Sequence, residues 1–269
     1  MSKIYYHREG KMIISFTTTT NRINLLEPLL KSIRAQMEKE DKLVCYVSKE
    51  GPVLNGKQVG YDRGIKEIPS FFEKYDVKTK FVENLCAHTK IQQALVDYPD
   101  EIITCLCDDK IWPDYILEDL RAAWEEHPEC AKTYNVGVPP QFSSNFVKED
   151  LRFNYQAFRH LGAGIYKHAL VKTVGLLSVK LQQFDSIIQD RQYIDATFMS
   201  DDLLYSVALM KKGTPIQVVS PRDGKTCCHH FKDLKVPKGD LWADNKNGGN
   251  DGILNHPLIR EILIECLLE

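Results

Sequence analysis

One run constrains this chain more than any other: Ile102–Cys107, reading IITCLC, which is apolar on both faces and ends directly in Asp108 and Asp109. A strand that must be buried on both sides belongs inside a sheet covered by helices, and such sheets are largely parallel. Open α/β sheets take their ligands beyond the carboxyl ends of their strands, so the run delivers two carboxylates to a ligand-binding edge.

The flanking segments repeat that alternation. Met12–Thr17 (MIISFT) reads as a buried strand, followed by a helix that places Leu26, Leu29, Leu30, Ile33 and Met37 on one stripe. Asn24 and Glu27 form a capping pair in this reading, with Pro28 tolerated near the helix start. Lys42–Val47 is a second strand, a short helix surrounds Phe71, and Lys80–Val82 is a third strand. A helix carrying Ile91, Ala94, Leu95 and Tyr98 stops at Pro99, and Pro113 opens another with Tyr115, Ile116, Leu120 and Ala123. The order predicts a doubly wound α/β fold.

The second half is less regular. Gly162 and Gly164 punctuate Leu161–Ile165, where they mark a bend or bulge or allow a ligand to approach the backbone closely. His168–Val174 reads as a short helix, Ser200–Lys212 as an amphipathic helix closed by Gly213, and Ile216–Val219 as a strand. Lys235–Asn250 is a loop, in which Trp242 and Gly248–Gly249 suit either a surface connection or a lid, and Pro257 starts a terminal helix through Leu267.

Charge and cysteine usage exclude some classes. The 35 basic and 37 acidic residues give a formal charge of −2, without a basic block for nucleic acid or an anionic bilayer. The apolar stretch Met12–Phe16 is too short for a signal core or a transmembrane segment, which predicts a cytoplasmic protein. Cysteines 45, 86, 105, 107, 130, 227, 228 and 266 are scattered, several inside apolar runs, so they read as thiols rather than a disulfide framework. Cys227-Cys228-His229-His230 lacks the separation that lets a turn converge zinc ligands.

Asp108 and Asp109 suit a hard divalent cation, Mg²⁺ or Mn²⁺, held by one or two carboxylates and a substrate's phosphates; equally, they suit a solvated turn before a helix. Lys90, at a helix start, is either a phosphate partner or a solvated first-turn lysine. Thr17, Thr18 and Arg22 lie in the first β–α turn and suit turn formation as well as ligand contact. Asp201 and Asp202 follow Ser200 at a helix start, a placement that capping and the helix dipole already favour.

Four stretches in this order resemble bacterial GT-A-type glycosyltransferases, family-two-like enzymes of polysaccharide biosynthesis clusters. They are Ser15-Phe16-Thr17-Thr18 with Arg22-Ile23; Thr89-Lys90 leading to Cys107-Asp108-Asp109 and Trp112-Pro113; Ser200-Asp201-Asp202-Leu203 through Gly213 to Ile216; and Leu241-Trp242-Ala243-Asp244-Asn245-Lys246. The resemblance covers roughly residues 12 to 255 and departs from the family at Cys107, where an Asp is usual, and at Cys86, where a Gly is.

What the resemblance implies is specific. It gives a GT-A-like, Rossmann-like, mostly parallel sheet over a single domain, 1–269, with a nucleotide-binding half to about 135 and an acceptor-binding half from about 136. A sugar passes from a nucleotide-diphosphate donor, UDP by default, to a hydroxyl of a glycan or lipid-linked glycan. Thr17, Thr18, Arg22, Lys90 and Asp108 would contact the donor, and Asp109, Asp108 and His230 the Mn²⁺ or Mg²⁺. Asp202, with Asp201 beside it, would be the general base of an inverting reaction. A sugar nucleotidyltransferase and a noncatalytic nucleotide-sugar or glycan-binding subunit remain open. The first turn lacks the glycine-rich basic loop of nucleotidyltransferases.

Overall fold

The computed structural model describes residues 11–60, 62–138, 153, 159–171, 176–220, 222, 232–235 and 249–268. In chain order the first part runs β1 (Met12–Thr17), α1 (Glu27–Arg34), β2 (Lys42–Val47), the hairpin β3 (Val53–Leu54) and β4 (Lys57–Gln58), α2 (Phe71–Lys74), β5 (Val77–Phe81), α3 (Thr89–Asp97), β6 (Ile102–Leu106), β7 (Lys110–Ile111) and α4 (Ile116–Glu126). It continues with β8 (Ala131–Thr133), β9 (Val136–Val138), β10 (Arg159–Leu161), β11 (Gly164–Tyr166), β12 (Leu170–Val171), β13 (Leu176–Val179), α5 (Arg191–Ala196), α6 (Asp201–Lys212), β14 (Ile216–Val218) and β15 (Lys232–Asp233). The helices Asn250–Leu254 and Pro257–Leu268 follow.

Eight of these strands form the central sheet, in the order β11-β14-β8-β13-β6-β1-β2-β5. The pairs β1–β2, β1–β6, β2–β5 and β8–β14 are parallel. β13 runs antiparallel between β6 and β8, and β11 antiparallel along β14. Strands from both sides of residue 135 thus share one sheet, and β6 lies inside it, as its two apolar faces require.

Strand alternation divides the core between the faces. Ile13, Val44, Tyr46, Ile103 and Cys105 pack with Ile91 and Leu95 of α3, Leu204 and Val207 of α6, and Ile259 and Leu263 of the terminal helix. Met12, Ile14, Leu43, Cys45 and Leu106 pack with Leu29 and Ile33 of α1 and Leu120 and Trp124 of α4. Each large apolar side chain so buried contributes about 1.5–3 kcal/mol.

Some local expectations differ from the structure. The helix predicted over His168–Val174 contains β12 instead, whose Val171 amide donates to Ser206 Oγ at 2.8 Å; residues 172–175 of that expectation lie outside the described residues. A four- or five-residue apolar run cannot by itself distinguish helix from strand, and here α6 supplies the partner that decides. Asn24 and Glu27 make no capping pair, because Ile23–Leu25 is a 3₁₀ turn and α1 starts at Glu27 behind an uncapped Leu26. The third strand begins earlier than expected, at Val77. Pro113 sits ahead of α4, accepting the Ile116 amide at 3.4 Å, rather than inside it. No helix among the described residues is long and apolar enough to cross a membrane.

Candidate functional site

The carboxyl ends of β1 and β6 and the starts of α3 and α6 bring the candidate residues together. Ser15 and Lys90 fix two of these elements: the Ser15 hydroxyl donates to the Lys90 carbonyl, tying the first turn of α3 onto β1. Thr17 Oγ1 donates to Tyr46 O at 2.7 Å, so this side chain knits β1 to β2. Thr18 and Arg22 converge on Asp108 from the first turn. Thr18 Oγ1 donates to Asp108 Oδ2 at 2.8 Å and Arg22 Nη1 to Oδ1 at 2.6 Å. Both oxygens of this buried carboxylate are therefore engaged, one by a charge-assisted bond.

A second ion pair lies deeper. Lys90 Nζ is 2.6 Å from Asp201 Oδ2, with the two side chains 8% and 10% exposed. Burial alone would lower the Lys90 pKa, but Asp201 outweighs it and holds it above the ordinary lysine value. Lys90 is thus a charged residue compensated inside the protein. Ser200 occupies the N-cap position of α6 in extended conformation, but its side chain makes no cap bond, while its amide donates to Thr197 O at 2.7 Å. The acidic first turn of α6 is Asp201 and Asp202, buried and half-buried respectively.

Cys107 lies between the two acidic pairs. Burial pushes its thiol far above the usual range; Lys90 opposes this, and the nearby charges of Asp109, Asp201 and Asp202 add to it. The same thiol therefore feels the end of β6, the start of α3 and the start of α6. Cys86, the other departure from the resembled family, is pushed up to about 12 by burial, so both are neutral thiols near neutral pH.

Asp109 differs from its neighbour. It is half-buried, its backbone carbonyl accepts Leu234 N at 2.7 Å, and its side chain makes no hydrogen bond or ion pair with the described residues. Burial, then the charge of Asp108, raises its pKa, against the pull of Lys110 and Arg22. A cation nearby would relieve both effects, so Asp109 fits a divalent ion of the hard-oxygen class, completed by a ligand's phosphates. Asp108 would join it only on leaving Arg22, and no three His, Cys, Asp or Glu side chains among the described residues form a metal-binding group. His230, Trp242 and Gly248 lie outside the described residues.

The sequence reading missed two contributors. His88 is fully buried, its ring Nε2 lies 2.9 Å from Thr197 O, and burial lowers its pKa, so a neutral imidazole holds the turn that leads into α6. Asp62 binds the Thr20 amide at 3.2 Å and the Thr20 hydroxyl at 2.8 Å, anchoring the first β–α turn from outside. Neither has a sequence signal: the partners stand 109 and 42 residues away.

No protein-family model and no curated protein matches the sequence. Among the solved structures that are similar, two align at low scores. A 4-diphosphocytidyl-2C-methyl-D-erythritol synthase aligns with TM-score 0.43 and 11% identity over 82% of this chain and 92% of its own. A CMP:2-keto-3-deoxy-manno-octonic acid synthetase complexed with CTP aligns with TM-score 0.41 and 12% identity over 77% of this chain and 87% of its own.

Proposed function

We propose that this chain is a nucleotide-sugar-dependent glycosyltransferase. The observation that carries the reading is a pair of acidic doublets, Asp108–Asp109 at the end of a central strand with Asp108 held by Arg22, and Asp201–Asp202 at a helix start with Asp201 held by Lys90, the charges of Asp109, Asp201 and Asp202 all acting on the Cys107 thiol. The arrangement offers one carboxylate toward a donor's cation-bound diphosphate and another toward an acceptor hydroxyl.

In this mechanism Asp202 takes the proton of the acceptor hydroxyl as its oxygen forms a bond to the anomeric carbon. The bond from that carbon to the diphosphate oxygen breaks, and its electron pair leaves with the nucleoside diphosphate. Attack opposite the leaving group inverts the anomeric centre. Asp201 is held by Lys90 and orients the helix start that presents Asp202. Arg22 and Thr18 place Asp108 beside the donor, and Arg22 supplies positive charge near the diphosphate. Mn²⁺ or Mg²⁺, held by Asp109, would neutralise the charge that develops on the leaving diphosphate.

The names of the two similar structures, one of them complexed with CTP, lie nearer the alternative of a sugar nucleotidyltransferase, but similarity at those scores carries no argument about activity. A specific observation counts against it. Such transfer needs a turn after β1 whose amides wrap a triphosphate. Here the Arg22 and Ile23 amides both donate to Thr19 O at 3.0 Å, and the Thr20 amide is taken by Asp62. Three amides of this turn are thereby already used.

The deciding experiment incubates the protein with UDP-, GDP- and dTDP-sugars and glycan acceptors, and separately with CTP and free sugars, with Mn²⁺ or with EDTA. Release of nucleoside diphosphate with Mn²⁺ is the expected result. Pyrophosphate release from CTP would replace the reading by nucleotidyl transfer, and nucleotide binding with neither release would replace it by a noncatalytic subunit.

A further inference from the structure

The excursion between β2 and β5 folds back onto the first β–α turn, and one carboxylate holds the join. Asp62 Oδ1 accepts from the Thr20 amide at 3.2 Å, the Thr20 hydroxyl at 2.8 Å and the Gly64 amide at 3.2 Å. Its other oxygen, Oδ2, accepts from Asn84 Nδ2 at 3.3 Å. Asn84 also donates to Glu50 O at 3.0 Å, and the Thr20 hydroxyl lies 2.9 Å from Gly64 O. Three chain segments therefore meet at Asp62: the turn that carries Thr18 and Arg22, the return of the excursion, and the approach to α3 and Lys90.

The placement of this carboxylate is forced by packing. Gly64 has φ +83°, and a Cβ there would collide with the Lys49 backbone; a Cβ on Gly51 would collide with the Asp62 carbonyl. The Ile65 amide donates to Ser48 O at 2.7 Å, and Ile65 is 2% exposed, so the returning chain is pinned on both sides of the join. Ile65 belongs to the core on the α1 face, whereas Thr20, Asp62, Gly64 and Asn84 belong to neither core cluster. A carboxylate that gathers donors from three loops at a ligand edge acts on geometry more than on global stability.

We propose that Asp62 is a positioning residue for donor binding. It sets the first β–α turn so that Arg22 and Thr18 stand over Asp108, and it fixes the approach to α3 relative to that turn. This rests on the donor site proposed above. Both oxygens of Asp62 are taken by Thr20, Gly64 and Asn84, so its loss should weaken donor binding while leaving the chemical step nearly intact.

The test compares wild type, Asp62→Ala and Asp62→Asn by UDP titration with Mn²⁺, donor kinetics, and amide hydrogen exchange of the peptides spanning residues 17–24 and 60–66. Asp62→Ala should raise the UDP Kd and the donor KM by about tenfold or more, the size of losing one hydrogen bond to a charged group. Its kcat at saturating donor should stay within about threefold, and exchange at residues 20–23 should speed by about tenfold or more. Asp62→Asn, which keeps one carbonyl acceptor, should recover part of both effects. An unchanged UDP Kd and unchanged exchange in folded Asp62→Ala would overturn the proposal while sparing the donor site. A loss confined to kcat would overturn it too, since that is the mark of a reacting group. Wild type that binds no nucleotide, with a turn that still loosens in Asp62→Ala, would overturn the donor-site reading and with it the donor-binding role of Asp62.

Discussion

The two acidic pairs, Asp108–Asp109 at the end of β6 and Asp201–Asp202 at the start of α6, are built alike and sit differently. In each, the first carboxylate is held by a cation from a distant segment, Arg22 or Lys90, both at 2.6 Å. The Arg22 side chain is 17% exposed and shares Asp108 with a threonine, whereas the Lys90 side chain is 8% exposed and charged in the interior. The carboxylates are equally buried, each 10% exposed, so the clamps differ on the cation side and in the extra hydroxyl that Thr18 gives Asp108. Removing Lys90 leaves Asp201 buried without its cation. In the proposed function the Arg22 clamp would exchange with a donor and the Lys90 clamp would hold the base in place.

The comparison breaks first at Asp202. Asp202→Asn should cut transfer by roughly 10² to 10⁴ with UDP affinity nearly unchanged, as expected for a lost general base. Asp201→Asn is the control, and it should show a stability loss with milder kinetic loss. Full activity of folded Asp202→Asn in a steady-state assay would remove the base from this pair.

Stability tests the Lys90 clamp. Lys90→Met should cost about 3–5 kcal/mol in denaturant unfolding, because Asp201 is left uncompensated in the interior. Arg22→Met should cost less, roughly 1–2 kcal/mol, since Asp108 keeps the Thr18 hydroxyl, while weakening UDP binding about tenfold in calorimetry. Equal losses from the two variants would show that the clamps do not differ as their exposure says.

The smallest effect concerns protons. Because Asp109 has a raised pKa, Mn²⁺-dependent UDP binding should weaken as pH falls through a range above that of an ordinary carboxylate. Asp109's own linkage to folding has the opposite sense: its stabilising contribution is present below the ordinary carboxylate pKa and is lost as pH rises through the raised value. Asp109→Asn should flatten the pH dependence of binding; a pH profile that survives this substitution would assign the proton elsewhere.

Periodicity made the sheet's parallel half legible. β1 and β2 have the predicted boundaries, and α6 ends at the predicted Gly213, because their apolar patterns and stop signals are local. β12 and β13 were not legible as strands, since such short apolar runs take their state from their partners, β9 for β12 and β6 and β8 for β13. The candidate carboxylates were legible as chemistry, and their partnerships were not. Lys90 read as a phosphate partner or a solvated lysine, yet it pairs with Asp201, 111 residues on. No spacing rule encodes that meeting; it follows from where α3 and α6 land on the sheet.

The insertion of β13 between β6 and β8 has a consequence for synthesis. Until residue 179 leaves the ribosome, β6 is the open margin of a half-built sheet, paired with β1 on one side only, with Ile103 and Cys105 lacking the later elements that bury them. Chains that must wait for distant segments fold slowly and are prone to stick to one another meanwhile. The strand that gives the protein its acidic edge is therefore also the one most in need of shielding while the chain is still growing.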